Sequence, residues 1–183
     1  MSATAKALLI ASLLCLSGCW TPREVFPPMH PHWADHSSRQ SRHYANFPGK
    51  IKQGLKETKI VSGQTVSTYL CEFVTSDRYY GTAWTLVPAF SATTAAQERI
   101  LEIAAAEALR VSPDAKLVSR HPVTNEGIRG VAYVIDLPQS KVRLRQQIFM
   151  VSGVLVEQTY SGPAGTEDER EPGRFFDSLK LFP

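Results

Sequence analysis

The spacing of apolar residues changes twice along this chain, and that change limits what the chain can fold into. From Gln64 to Thr75 the side chains alternate, with Tyr69, Cys71 and Phe73 on one face and Val66, Thr68 and Leu70 on the other. Alternation with period two specifies a strand. At Thr94 the period lengthens. Ile100, Leu101, Ala104, Ala105, Ala108 and Leu109 fall on one stripe of a helix from Ala95 to Arg110, and Glu98, Arg99, Glu102 and Arg110 lie away from it. Thr94 with Gln97 fits a capping box at its start, and Pro113 stops its continuation. After Pro113 the period of two returns and holds to Ser161.

The other strands follow from the same alternation and from turn residues between them. Ile51 to Val61 is a lysine-bearing strand suited to a sheet edge, Ser62-Gly63 is a turn, and Tyr79 to Val87 is a strand stopped by Pro88. Beyond the helix, Ala115–Thr124 is interrupted by Pro122 and therefore belongs at an edge. Asn125-Glu126-Gly127 turns into Ile128–Leu137, and Pro138-Gln139-Ser140 turns into Lys141–Val151. Ser152-Gly153 then makes a hairpin with Val154–Ser161. Glu167, Asp168, Glu169 and Glu171 crowd the start of a last helix, where they complement its dipole, and Phe175, Phe176 and Leu179 give that helix an apolar face. The expected fold class is α+β: a mainly antiparallel sheet of about six to seven strands packed with two helices.

The first residues obey a different logic. Lys6 is followed by an apolar run from Ala7 to Leu16, too short to span a bilayer as a helix. Leu16-Ser17-Gly18-Cys19 closes the run with small residues before a cysteine. This resembles the lipobox of bacterial lipoproteins, which implies removal of residues 1–18 as a signal peptide and acylation of Cys19. The competing reading is an ordinary secretory signal, but its small-x-small site at Ala11 to Leu13 lies inside the apolar core. Acyl chains contribute about 0.8 kcal/mol per buried methylene, so the two or three chains of a lipoprotein hold it to a membrane without a transmembrane helix. Trp20 in place of Asp after the cysteine resembles an outer-membrane address. The localisation implied is the cell envelope, lipid-anchored in the outer membrane and facing the periplasm. With Cys15 removed and Cys19 acylated, Cys71 is the one remaining thiol, so packing rather than a disulfide must hold the fold.

Residues 19–46 are expected to be a flexible tether and residues 47–183 a single domain. Pro22, Pro27, Pro28 and Pro31 punctuate a stretch with little apolar periodicity, and as a coil it spans roughly 28–30 Å. His30, His32, His36 and His43 lie in it, beside Met29, and neutral imidazoles are ligands for zinc and copper. Their spacing matches no established site, and a solvated, histidine-rich linker is the competing reading. No bound cofactor is expected.

The chemistry of the rest is sparse. From Ile51 onward there are 15 basic and 15 acidic residues, a balance that does not suit nucleic acid. The chain carries no Gly-x-Ser-x-Gly, His-Glu-x-x-His, phosphate-cradling glycine loop or Cys-x-x-Cys. No catalytic residue is therefore nominated. Cys71 lies on an apolar face with no histidine near it in sequence, which reads as core. Glu72, Asp136 and Glu157 are scattered carboxylates, and His121 is the only histidine beyond residue 47. The best surface candidate is Lys141-Arg143-Arg145, spaced to share one strand face and suited to an anionic ligand or an envelope protein.

Phe47-Pro48-Gly49, Tyr160-Ser161-Gly162-Pro163 and the closing Arg174-Phe175-Phe176-Asp177-Ser178-Leu179-Lys180-Leu181 are similar to segments of the PsbP-like and DcrB-like group of small α/β/α sandwich domains. That resemblance implies binding or assembly rather than one shared chemistry. The function expected is that of a lipid-anchored envelope lipoprotein with a non-enzymatic binding or assembly domain, whose partners are the membrane, through Cys19, and an envelope protein or anionic ligand. The alternatives are a metal-binding lipoprotein working through the tether, and a hydrolase without a recognisable motif.

Overall fold

The structure, a computed structural model, describes residues 33–38, 40–61, 64–87, 93–110, 112–165 and 170–182. Cys19 and the signal segment, His30, His32 and the acids Glu167, Asp168 and Glu169 lie outside the described residues. The elements in order are β1 (Ala34–Ser38), β2 (His43–Phe47), β3 (Lys52–Val61), β4 (Gln64–Val74), β5 (Tyr79–Leu86), α1 (Thr94–Ala108), β6 (Lys116–Asn125), β7 (Ile128–Leu137), β8 (Val142–Val151), β9 (Val154–Pro163), α2 (Arg170–Asp177) and β10 (Lys180–Leu181).

Seven of the strands form one antiparallel sheet in the order β3-β4-β5-β9-β8-β7-β6. The α+β class, the sheet and its two helices are those expected from the periodicity. Both edges also fall where lysines and Pro122 placed them. Each edge strand breaks register once, between Leu55 and Glu57 in β3 and between Leu117 and Ser119 in β6. A bulge twists an edge away from further pairing, and Pro122 removes one donor from β6. The β8–β9 turn places Ser152 at φ 47° and Gly153 at φ 84°, the twist that suits a tight hairpin.

One face of this sheet packs on α1. Leu101 meets a core of Val87, Val131, Tyr133, Ile135, Leu144, Ile148, Met150 and Leu155, with Ile100, Ile103 and Leu109 at its margin. The helix is capped one residue earlier than expected. Thr93 Oγ1 accepts the Ala96 amide at 3.3 Å, so Thr93 is the cap and alanine stands where the box needs Gln97.

The other face is covered by α2 and by a second sheet of order β1-β2-β10. This corrects the expected tether. Ala34–Ser38 and His43–Phe47 are not spacer but two strands, paired from Ala34↔Phe47 to Ser38↔His43, and Lys180–Leu181 returns as β10 to pair with His43 and Tyr44. The alternation His43, Ala45, Phe47 buries one side of β2 against the large sheet, and that side supplies the ordering energy. The expected boundary at residue 47 therefore falls inside folded structure.

Gly130 shows how closely the neighbouring strands β7 and β8 approach. A Cβ there would stand 2.5 Å from the Ile148 carbonyl oxygen and press into the Phe149 ring, which lies across the glycine. A ring can shift, but a paired strand backbone cannot. Gly130→Ala is expected to destabilise the domain by about 1–3 kcal/mol, read from chemical denaturation. An unchanged midpoint would mean that Phe149 does not lie over β7.

Candidate functional site

Polar chemistry converges between the two sheets. Cys71 on β4, Thr82 on β5 and Gln158 on β9 are cross-strand neighbours, so their side chains share the face beneath β1 and β2. Above them, His36 and His43 have ring centroids 5.6 Å apart. Both rings are interior, 7 % and 0 % exposed, and Cys71 is 5 % exposed. His36 Nε2 lies 3.2 Å from Cys71 Sγ and its Nδ1 lies 3.3 Å from Gln53 Nε2. His43 Nε2 lies 3.1 Å from Thr82 Oγ1 and its Nδ1 3.4 Å from the Ser41 carbonyl.

The partners fix the protons. Gln53 Nε2 can only donate, so it donates to His36 Nδ1, and His36 carries its proton on Nε2 toward Cys71 Sγ. The Ser41 carbonyl can only accept, so His43 is protonated on Nδ1 and its Nε2 accepts from the Thr82 hydroxyl. Thr82 is also hydrogen-bonded to Cys71, a contact that favours the thiolate and opposes the effect of burial. A connected polar run results, from Gln53 through His36, Cys71, Thr82 and His43 to Ser41. All its members are uncharged. Burial pushes the Cys71 thiol up to about 11 and lowers the His36 imidazole. Burial, then the neighbouring His36, lowers His43 to about 4, against a smaller upward pull from the Ser41 carbonyl.

The thiol is thus protonated at neutral pH and is not an activated nucleophile. Gln158 donates Nε2 to the Phe175 carbonyl at 2.7 Å, while its Oε1 is buried without a hydrogen-bond partner among the described residues. Sequence reasoning missed this cluster because Cys71 and His36 stand 35 residues apart. The one signal available was alternation in His43-Tyr44-Ala45-Asn46-Phe47, which the prolines upstream obscured. His36 and His43 use their ring nitrogens inside the fold. Among the described residues no group of three or more His, Cys, Asp or Glu side chains is placed to hold a metal ion.

The basic stripe is divided. Lys141 sits in the turn before β8 at φ 55°, exposed. Arg143 grips Asp136 of β7 through Nε at 2.7 Å and Nη2 at 3.0 Å, and this pair holds the carboxyl below its usual range. Arg145 is half-buried and, after Arg78, acts on Tyr160, whose phenol burial raises. The three do not stand as equivalent exposed charges.

The scattered carboxylates separate. Asp136 belongs to the α2 side of the sheet, whereas Glu157 is 2 % exposed on the α1 side. There Tyr133 donates to Gln146 at 2.7 Å and Gln146 donates to Glu157 at 2.6 Å. Burial raises the nearby Tyr79 phenol, with Glu72 and Glu157 adding to it. Glu171, expected only to complement a helix dipole, accepts Arg78 Nη1 at 2.6 Å and the Tyr80 hydroxyl at 3.2 Å. His121 is exposed on β6. On the α2 side, Tyr69 and Trp84 stack at 4.3 Å and 11°, with Leu86 60 % exposed next to them. No described helix is long and apolar enough to cross a membrane.

No family model matches the sequence, and no curated protein matches it. Among solved structures, the fold is similar to cyanobacterial PsbP (CyanoP) from Synechocystis sp. PCC 6803, with a TM-score of 0.51, 11% identity, and coverage of 88% of this chain and 100% of that one. A protein of unknown function from Pseudomonas aeruginosa, PA94, described as a putative regulator, aligns with a TM-score of 0.43 and 14% identity over 78% of this chain and 90% of that one. At such identity the first likeness shows the fold alone: the domain has the PsbP-like α+β architecture.

Proposed function

We propose that this chain is a lipid-anchored cell-envelope lipoprotein whose folded part is a non-enzymatic binding or assembly module. The carrying observation is Leu16-Ser17-Gly18-Cys19 at the end of a short apolar run. The anchor would be acylated Cys19, in the outer membrane and facing the periplasm. The binding reading draws support from the buried cluster, whose thiol and imidazoles are uncharged and bonded to one another, a state unsuited to nucleophilic or acid–base work at neutral pH. It draws further support from exposed Tyr69, stacked on the half-buried Trp84, and exposed Leu86. The partner is an envelope protein or anionic ligand.

Cys19→Ser is expected to abolish acylation and to move the protein from the membrane fraction to the soluble fraction. Metabolic labelling with a fatty acid, followed by fractionation, measures both. A Cys19→Ser protein that carries no acyl chain yet stays with membranes would defeat the anchor reading.

A further inference from the structure

We propose that the β1–β2 hairpin is an acid-released latch: protonation of His36 and His43 undocks residues 34–47 from the large sheet and uncovers Cys71, while the seven-stranded sheet stays folded. The argument begins with the seam itself. Two imidazoles, a thiol and a hydroxyl form the polar contact between layers, and both nitrogens of each ring are engaged. A proton added to either ring turns an acceptor nitrogen into a donor. His36 Nδ1 would then face the Gln53 amide nitrogen, and His43 Nε2 would face a hydroxyl that now donates to it. The run must reverse or break, and a charge is left between layers.

Nothing charged on the surrounding elements compensates that charge among the described side chains. The rings face each other, Phe47 of β2, Gln53 of β3, Cys71 of β4 and Thr82 of β5. Asp35, the nearest acid in sequence, is exposed and occupied by Tyr44 and Asn46 on the outer side of the small sheet, both at 2.5 Å. The second proton is harder to accept than the first, because the two rings are 5.6 Å apart. Both histidines keep the lowered affinity for protons that burial gives them.

The release is local because the two layers are joined unequally. Strands β3 to β9 are held to one another by continuous ladders, whereas β1 and β2 pair only with each other and with the two residues of β10. The seam also carries the unmatched Gln158 Oε1, so water admitted there gains a bond that the closed layers do not make. Freed from the sheet, a two-stranded hairpin has little stability of its own.

The test uses the full chain with Cys15→Ser and Cys19→Ser, which leaves Cys71 as the one thiol and makes the result independent of lipid anchoring. Dithiodipyridine, which reacts with thiols in mildly acidic solution, reports access to Cys71. Its rate is expected to rise about tenfold or more between roughly pH 7 and pH 4.5, with the far-ultraviolet circular dichroism of the sheet retained. Adding His36→Gln and His43→Gln, which keep neutral donors and acceptors, is expected to reduce that rise to about twofold or less. Hydrogen exchange on the protein with native histidines gives a second reading. Protection should be lost over 34–47 and 180–181 and kept over 142–151 and 154–163. A flat thiol rate, an equal rise in the glutamine variant, or loss of protection across both sheets together would overturn the latch.

Discussion

Phe175→Ala is expected to lower the unfolding free energy by about 3–5 kcal/mol. The ring is 0 % exposed and sits where the two sheets and α2 converge. Its centroid lies 5.3 Å from Phe47, 5.4 Å from Tyr80 at 88°, and 5.6 Å from Phe176. Truncation leaves a cavity bounded by three elements that cannot all collapse inward, and it removes the edge-to-face contact with Tyr80, worth about 0.5–1.5 kcal/mol, and the tilted contacts with Phe47 and Phe176. The carbonyl of residue 175, which accepts Gln158 Nε2 and Ser178 Oγ at 2.7 Å, survives in alanine, so the loss reports the ring alone. Phe176 is only partly buried, and Phe176→Ala is expected to cost less than half as much. Urea denaturation of both variants measures the order. If Phe176→Ala is the more damaging, α2 docks on its other face.

Acid is expected to remove about 3 kcal/mol of stability between roughly pH 6.5 and pH 4, mostly through His43. Its imidazole falls from 6.5 to about 4 in the folded protein because of burial first and His36 second. Above the ordinary value neither state binds the proton, and the pair contributes its full stability. As pH falls through 6.5 the unfolded chain takes up a proton that the folded chain refuses, so stability drops. The drop ends near the folded value, where both states are charged. His36 is lowered too and acts in the same direction.

Asp35, Asp114 and Asp136 are held below the usual carboxylate range by hydrogen bonds, first from Tyr44, Ser112 and Arg143 respectively. Their contribution is lost only as pH falls below about 4, so it does not overlap the histidine window. Denaturation curves from neutral to pH 4 should show the slope, and His43→Gln should remove most of it. A slope that survives His43→Gln would assign the titration to another group.

Periodicity was enough to read the large sheet. Ile128–Leu137 and Val154–Pro163 are apolar-rich runs that read as strands because they are buried on one or both faces, and burial of a face fixes a strand's register. The lysines of β3 and Pro122 of β6 likewise marked edges, since a missing backbone donor is tolerated only where one side of the strand lacks a neighbour. The small sheet was hidden for the opposite reason. β1 reads Ala34-Asp35-His36-Ser37-Ser38, a polar pentapeptide with no propensity to announce a strand, and β10 is two residues long. Such strands exist because a partner surface is already there.

The candidate site divides in the same way. Lys141, Arg143 and Arg145 were recognisable as a stripe, but their spacing could not say that Asp136 would occupy Arg143, since cross-strand partners depend on register. Cys71 was correctly placed on a buried face by alternation alone. That His36 and His43 would meet it there is a property of layer packing: the energy comes from burying Ala45 and Phe47, and the two imidazoles arrive as passengers of the same strands.

What the sequence alone determined is thus what depends on neighbours along the chain: the α+β order, the strand faces, the edges, the helix stop at Pro113 and the short apolar run before Cys19. These are set by steric and solvation preferences acting over a few residues. Only the tertiary structure decided what depends on distant segments. Strands β1 and β2 meet β10 in one small sheet, Arg143 is paired with Asp136, and a thiol and two histidines share a buried seam. The physical reason is that each of these pairings is stabilised by surface buried between layers, and no local pattern records which surface will cover which.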